Sequence, residues 1–376
     1  MNQEAGMAVT ARLGRLQQLL QADPANAGLR RQCVELAAQA GKFDVVVQLA
    51  DAVLEANSSD ATASFDKATG LIGQRAYREA VEILERISPP AAAASAVLAN
   101  IALCYFCLGN FAAARRNLDQ CYERGDRSAG LLRLLVSSCH QLGALDDAVR
   151  IAGENEQVAS SDAALAGVYA LLYLDANDAA RAAKWAKATL RMNPRSVDGR
   201  VTEATLATAR LQLDRARQML EGVIEDAPDT GRAWIGLGTL ALLDRRLDVA
   251  QQQLQRGLEL MPSHVGSWHL LGWAQLVSGE TDAAEGTFRH ALQMDRNFAE
   301  SHGALATIAA LRGERQRAQE LISIALKLDP QSMAARYAAA VLSGRSGAVL
   351  DLVEGLAATD GSALSKLLVT PNRRPQ

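Results

Sequence analysis

The sequence predicts an all-α protein made of stacked antiparallel helix pairs, the fold class called an α-solenoid. The first observation that predicts it is a repeat of 34 residues. Residues 231–262 read GRAWIGLGTLALLDRRLDVAQQQLQRGLELMP, and residues 265–296 read VGSWHLLGWAQLVSGETDAAEGTFRHALQMDR. Self-similarity at a fixed period of this length is typical of helical repeat proteins. The aligned pairs are Trp234 and Trp268, Leu237 and Leu271, Gly238 and Gly272, Ala250 and Ala284, Leu254 and Phe288, and Leu258 and Leu292.

The second observation is that this period continues in both directions. Counting from the first residue of each unit, position 20 is Val46 in the first unit and alanine in the eight units that follow. Because about a fifth of the chain is alanine, eight in succession would arise by chance about once in a million, so the period is real. The nine units begin at Ala27, Ala61, Ser95, Ala129, Ala163, Val197, Gly231, Val265 and Ala299.

Three further positions of the repeat indicate how each unit folds. Position 8 is always small, as in Gly238 and Gly272, and position 24 is always apolar, as in Leu254 and Phe288. We therefore expect the two helices of a unit to pack closely through these positions. Proline recurs at position 32, where the second helix must end because proline cannot continue it. These prolines are Pro194, Pro228, Pro262 and Pro330.

The pattern W-x2-L-G…A-x3-F at a 34-residue period resembles that of the tetratricopeptide repeat, a helix-turn-helix unit. The resemblance covers about residues 27–332. It implies a right-handed superhelix with a concave groove that binds a peptide or helix of another protein. Some units depart from the pattern: Lys67 and Glu203 stand where leucine is usual, and Asn155 and Thr189 stand where alanine is usual.

The repeat register divides the chain into four parts. Residues 8–22 place four leucines on one helical stripe before Asp23 and Pro24, which predicts a helix that caps the repeats. After the ninth unit, helices are predicted at Ala334–Leu342, Ala348–Ala357 and Ser362–Val369. The predicted parts are residues 1–26, an N-terminal capping helix; 27–332, nine units; 333–358, a partial tenth repeat or cap; and 359–376, a short helix and a disordered tail.

Two stretches interrupt the repeat and are predicted to act as hinges. Ser88–Pro90 cuts the second unit short, and the polar run Gly153–Asp162 indicates that the second helix of the fourth unit ends early. Each stretch removes apolar contacts between neighbouring units, on which the stability of a repeat array depends.

Composition argues against several classes of function. A net charge of −3 and a pI near 6.0 give no basic footprint, so nucleic acid is not an expected partner. The apolar run 91–108 is short for a membrane span, rich in alanine and in register with the repeats, so we predict a buried helix and no membrane insertion. No secretory signal is expected at the start of the chain. Five cysteines without disulfide spacing favour a reducing cytoplasm.

Few residues are arranged in a pattern that could support catalysis or metal binding. Cys104 and Cys107 form a C-x2-C pair, but both fall late in a first helix, away from the N-terminal dipole that activates a thiol. We therefore predict that they are core thiols. With no catalytic constellation outside the repeats, a non-enzymatic protein without cofactor or metal is expected. Four histidines fall at repeat positions that do not share one face: His264, His269, His290 and His302.

The resemblance also implies which residues bind a partner. In the family, positions 2, 5, 9, 12 and 13 of the first helices line the groove. Trp273, at position 9, is predicted to be the main exposed anchor, while Trp268, at position 4, is predicted to fill the core. Of the residues that clamp a partner's C-terminal carboxylate in some members, only Asn100 is present. The candidate groove residues are Leu103, Phe106, Arg133, His140, Leu171, Leu174, Arg232, Ile235, Leu242, His269, Trp273 and Leu276.

The sequence leaves three functional hypotheses open. The first is a cytoplasmic scaffold or adaptor of bacterial type that holds a peptide or helix of a partner protein in its groove. The second is a chaperone or assembly factor that shields an apolar segment of a secretion-system subunit. The third is a peptide-sensing regulator, for which the sequence offers no output domain. Neither the partner nor the pathway follows from the sequence.

Overall fold

A computed structural model describes residues 2–87 and 94–345, and every regular element within these ranges is an α-helix. The Cα positions divide the chain into an N-terminal module, Met1–Ser138, and a C-terminal module, Cys139–Gln376. The helices that begin in the N-terminal module are α1 (Asn2–Ala22), α2 (Ala27–Gln39), α3 (Phe43–Ala56), α4 (Ala61–Gly73), α5 (Tyr77–Leu84), α6 (Ala94–Cys107), α7 (Phe111–Glu123) and α8 (Ala129–Gln141).

The C-terminal module continues the alternation of first and second helices. Within a unit, the two helices pack against each other, as α11 does with α12 and α15 with α16. Its helices are α9 (Leu145–Glu154), α10 (Glu156–Ala159), α11 (Ala163–Asp175), α12 (Ala179–Met192), α13 (Val197–Ala209), α14 (Leu213–Asp226), α15 (Gly231–Leu243), α16 (Leu247–Leu260), α17 (Val265–Val277), α18 (Thr281–Met294), α19 (Ala299–Leu311), α20 (Arg315–Leu328) and α21 (Met333–Leu342).

Helix starts and turns follow from a few residues of each unit. Side chains just before several first helices cap them: Asn26 accepts the N–H of Leu29, and Asp162 accepts that of Leu165. The turn between the two helices places position 15 in the left-handed region, where glycine has no steric cost. Five units carry glycine there. The other four use Arg75, Asn177, Leu211 and Arg245, with φ between 57° and 63°.

The conserved spacing of small residues marks the closest contacts between paired helices. All nine residues at position 20, from Val46 to Ala318, are fully buried with 0% exposure. At position 8, a Cβ on Gly238 would lie 2.7 Å from Cγ of Leu254, and one on Gly272 would lie 2.5 Å from Cε1 of Phe288. Position 8 must therefore be small wherever a large residue at position 24 packs against it.

The interruptions and the chain ends can be compared only in part with the predictions. The predicted early end in the fourth unit is confirmed, because α9 stops at Glu154 and only the single turn α10 follows. Ser88–Pro90, the predicted helices Ala348–Ala357 and Ser362–Val369, and the predicted tail lie outside the described residues. Among the described helices, none is both long and apolar enough to cross a membrane, and the apolar run contributes α6, which has 14 residues.

Candidate partner-binding cleft

Two side chains from distant parts of the sequence contact one buried carboxylate in the C-terminal module. Asp175, the last residue of α11, accepts hydrogen bonds from Arg232, the second residue of α15, at 3.0 Å to Oδ1 and 2.5 Å to Oδ2. Nε2 of His140, near the end of α8, lies 2.7 Å from Oδ2 of the same carboxylate. The Asp175–Arg232 ion pair joins the fifth unit to the seventh, so it passes over the sixth.

The surroundings of Asp175 keep its carboxylate ionised. Its side chain is only 2% exposed. Burial alone would raise the pKa of Asp175, but the charge and hydrogen bonds of Arg232 and His140 outweigh burial and hold that pKa well below its usual range. Asp175 in turn raises the pKa of Arg232 against the effect of burial, with Asp198 contributing in the same direction. A buried carboxylate that stays charged needs partners of this kind.

The cluster forms the floor of a cleft of about 200 Å³. One wall comes from the end of α16 and the turn that follows, where Met261 and His264 lie. Nδ1 of His264 lies 2.7 Å from Oγ of Ser267 and accepts the backbone N–H of Ser267 at 3.2 Å, so His264 caps α17. The cleft therefore combines a charged floor with a wall that is partly apolar.

A second, more apolar depression adjoins the cleft and shares Arg232, Met261 and His264 with it. Leu174 and Ile235 contribute to its lining, as do Thr205, Thr208 and Thr239. Each of these threonine hydroxyls donates to a carbonyl one turn earlier in its own helix, at 2.8 to 3.0 Å. Their hydroxyl protons are therefore already used, and the depression is suited to apolar groups.

The structure brings four of the predicted groove residues together at these two sites: His140, Leu174, Arg232 and Ile235. Leu171 is half-buried and packs against the core of the sixth and seventh units. In the N-terminal module, Leu103 and Phe106 are half-buried and Arg133 is exposed. Their binding role stays a prediction. Leu174 and Ile235 are themselves only 5% exposed, and four other candidates are also buried without lining either site: Leu242, His269, Trp273 and Leu276.

Of the two tryptophans of the eighth unit, Trp273 is buried against the prediction and Trp268 is only partly in the core. Trp273 was expected to stand exposed in the groove, but it is 2% exposed and packs edge-on against Phe288 with ring centroids 5.2 Å apart. Position 9 of this unit is core because Leu305 and Ile308 of the next unit close over it. Trp268 was expected to fill the core; it is half-buried, packs against the core of the seventh and eighth units, and its Nε1 donates to the carbonyl of Pro262 at 2.8 Å.

His269 is likewise part of the core rather than the groove. Its ring lies near Phe288 and Phe298, and Nε2 is 2.8 Å from Oγ of Ser301. Burial lowers the pKa of His269 to about 3, so the side chain is neutral at physiological pH. No group of three histidine, cysteine or acidic residues that could hold a metal ion occurs in residues 2–87 and 94–345.

The two cysteines of the C-x2-C pair differ in their surroundings. Cys104 is buried, as predicted, and burial raises its pKa to about 11. Cys107 is exposed, which corrects the prediction that both are core thiols. α6 ends at Cys107, which places this thiol at the turn between the two helices of the unit.

Asp175 was missed by the sequence reasoning. It falls at position 13, one of the positions expected to face the groove, and ends the otherwise uncharged helix AALAGVYALLYLD. A single acidic residue at the end of so apolar a helix could have indicated that Asp175 has a specific partner. Met261 carried no comparable signal, because it lies beyond the end of α16 and outside the first helices.

Stacked helix pairs with a cleft on their first helices define an α-solenoid repeat protein. Residues 201–264 and 269–332 match the family model described as tetratricopeptide repeat, so the resemblance seen in the sequence is confirmed for this part of the chain. Repeats of this family are protein-interaction scaffolds, and protein binding is the general function that the fold indicates. No curated protein sequence matches the chain.

Several solved structures are similar to the chain in fold. YrrB, a tetratricopeptide-repeat protein described as having an unusual peptide-binding site, is 20% identical over 51% of this chain and 96% of its own, with a TM-score of 0.36. MamA is 18% identical over 42% of this chain and 93% of its own, with a TM-score of 0.35. A tetratricopeptide-repeat protein from Parabacteroides merdae is 14% identical over 66% of this chain and 99% of its own, with a TM-score of 0.46.

Proposed function

We propose that the chain is a non-enzymatic scaffold or adaptor that binds a peptide or helix of another protein in the cleft formed by α11, α15 and the end of α16. The observation that carries this proposal is the junction of a charged floor, Asp175 with Arg232, and an apolar depression in which Leu174 and Ile235 take part. A ligand can place polar groups on the floor and a small apolar group in the depression, which has a volume of about 30 Å³. Binding sites commonly combine apolar lining with a few fixed polar groups in this way.

The floor favours neutral polar groups of a ligand over a free carboxylate. Asp175 already accepts from Arg232 and His140, while Arg232 has N–H groups beyond the two that Asp175 receives. Peptide carbonyl oxygens are suitable acceptors for these donors. A free carboxylate on the ligand would be repelled by Asp175 and by Asp198, which also acts on Arg232.

We further propose that this binding occurs in the cytoplasm and that neither nucleic acid nor a membrane is a partner. All five cysteines lie in the described ranges and none forms a disulfide, which supports a reducing compartment.

The test is affinity capture from the native source with the full chain as bait, read by mass spectrometry. Met261→Glu places a charge where the cleft and the depression meet, so proteins bound there should be lost from the capture. Leu328→Glu is the matched control, because Leu328 is an exposed apolar residue of α20, outside the cleft. Thermal melts of both variants should stay close to that of the wild type.

A protein captured by the wild type and the Leu328→Glu variant, but not by the Met261→Glu variant, would support the proposal. Equal capture by all three would place the binding surface elsewhere. The identity of the captured protein then separates the open alternatives. Capture of two folded proteins that this chain connects would favour an adaptor. Capture of a single aggregation-prone protein would favour a chaperone.

A further inference from the structure

A second surface, separate from the cleft, carries opposite charges at equivalent positions of two consecutive units. In the fifth unit, positions 25, 29 and 33 are Lys187, Arg191 and Arg195, which we call the basic stripe. In the sixth unit, the same positions are Glu221, Glu225 and Asp229, which we call the acidic stripe.

All six side chains of the two stripes are exposed. Lys187 and Arg191 lie on α12, Glu221 and Glu225 lie on α14, and both of these helices pack against α13. Residues four apart lie on the same helix face, so each stripe points its charges in one direction. Arg195 and Asp229 extend the stripes into the turns that follow the two helices.

Within one chain, the basic and the acidic stripe do not form ion pairs with each other. Among the described residues, the ion pairs include none between the basic and the acidic stripe, and the one pair formed by either stripe is Asp229 with Arg256 at 3.7 Å. By contrast, the neighbouring Arg200 does reach Asp226 at 2.8 Å. The basic stripe also flanks Met192, an apolar side chain that is 39% exposed.

We propose that this surface binds a second copy of the chain in a two-fold dimer. A two-fold axis between α12 and α14 sets the basic stripe of each copy against the acidic stripe of the other, so both stripes are matched at once. Symmetric pairing of this kind requires a self-complementary patch. Three charges at the same three repeat positions in each stripe meet that requirement. Exposed ion pairs are individually weak, so the charges set the register and a weak, salt-sensitive dimer is expected.

Charge exchange tests this pairing on the full chain by sedimentation velocity over a dilution series. The wild type should self-associate at about 0.01 M salt, where the Debye length is about 30 Å, and dissociate near 1 M, where it is about 3 Å. The double variant Lys187→Glu/Arg191→Glu should be monomeric alone, as should Glu221→Lys/Glu225→Lys. An equimolar mixture of the two should form a dimer, and so should the chain that carries all four substitutions.

The matched control is Arg315→Glu/Lys327→Glu, which changes the net charge as much as the first variant at exposed sites on α20. It should dimerise like the wild type. A wild type that stays monomeric at low salt overturns the proposal, as does self-association that the stripe variants leave intact. Larger oligomers that grow with concentration would replace the two-fold pairing by head-to-tail assembly and so also contradict it. Unchanged helical circular dichroism in each variant rules out unfolding as the cause.

Discussion

Two regions of the C-terminal module use the same repeat position in different ways. In the sixth unit, Thr205 at position 9 is half-buried and lines the depression beside the cleft. In the eighth unit, Trp273 and His269 occupy positions 9 and 5 and are buried. The repeat fixes where a position lies on the first helix. The size of the side chain, and what the next unit packs on it, decide whether that place is surface or core.

The largest expected effect is a difference in unfolding free energy between substitutions at position 9 of the two regions. Trp273→Ala removes a large buried side chain that packs against Phe288, so it should lower the free energy of unfolding by about 3–5 kcal/mol. Thr205→Ala, at the same repeat position two units earlier, should cost about 1 kcal/mol or less, because it loses only a bond to its own helix. Urea unfolding followed by circular dichroism measures both. Similar losses would mean that position 9 plays one role in both regions.

The charged floor gives the next effect. Arg232→Ala leaves the buried Asp175 without its main partner and should cost about 3 kcal/mol, since an unpaired buried charge is expensive. The control is Arg217→Ala, which breaks the more exposed pair with Asp244 and should cost about 1 kcal/mol or less. Adding Asp175→Asn to the Arg232→Ala variant should restore part of the loss. If the double variant is no more stable than Arg232→Ala, the carboxylate is not the source of the cost.

Acidification should destabilise the eighth unit, because His269 is buried there in its neutral form. Its pKa is lowered to about 3, whereas an unfolded histidine has a pKa of about 6.5. The unfolded chain therefore binds more protons between these values, and the contribution of His269 is complete above pH 6.5 and lost as the pH falls towards 3. From pH 6.5 to pH 5 the loss is about 2 kcal/mol. His269→Gln should show a shallower decline, and an equal slope in both proteins would contradict it.

The smallest effect concerns the turns of the two regions. Leu211 adopts φ 57° at position 15 in the sixth unit, where the eighth unit has Gly279 at φ 83°. Leu211→Gly should stabilise the protein by about 0.5 kcal/mol, because the relief of left-handed strain slightly exceeds the entropy that glycine adds to the unfolded chain. Leu211→Ala keeps the strain and should bring no gain, although it shortens the same exposed side chain. Matching thermal melts for the glycine and alanine variants would show that the backbone is not strained there.

The helical class, the period and the closest helix contacts could all be predicted from the sequence. Every position-20 residue from Ala80 to Ala318 is buried, because the place where two helices touch admits only a small side chain and that demand recurs in each unit. The same regularity identified the break after Glu154, where the polar run offers no apolar face to bury.

Which groove positions stay accessible depends on contacts between units. Trp273 and Thr205 both occupy position 9, but burial depends on the side chains that the next unit brings against them, and no single unit contains that information. Asp175 pairs with Arg232, which lies 57 residues further along the chain. This contact skips one unit, so a 34-residue repeat does not predict it. A repeat in the sequence encodes contacts within units and between neighbours, whereas the cleft arises from the stacking of several units.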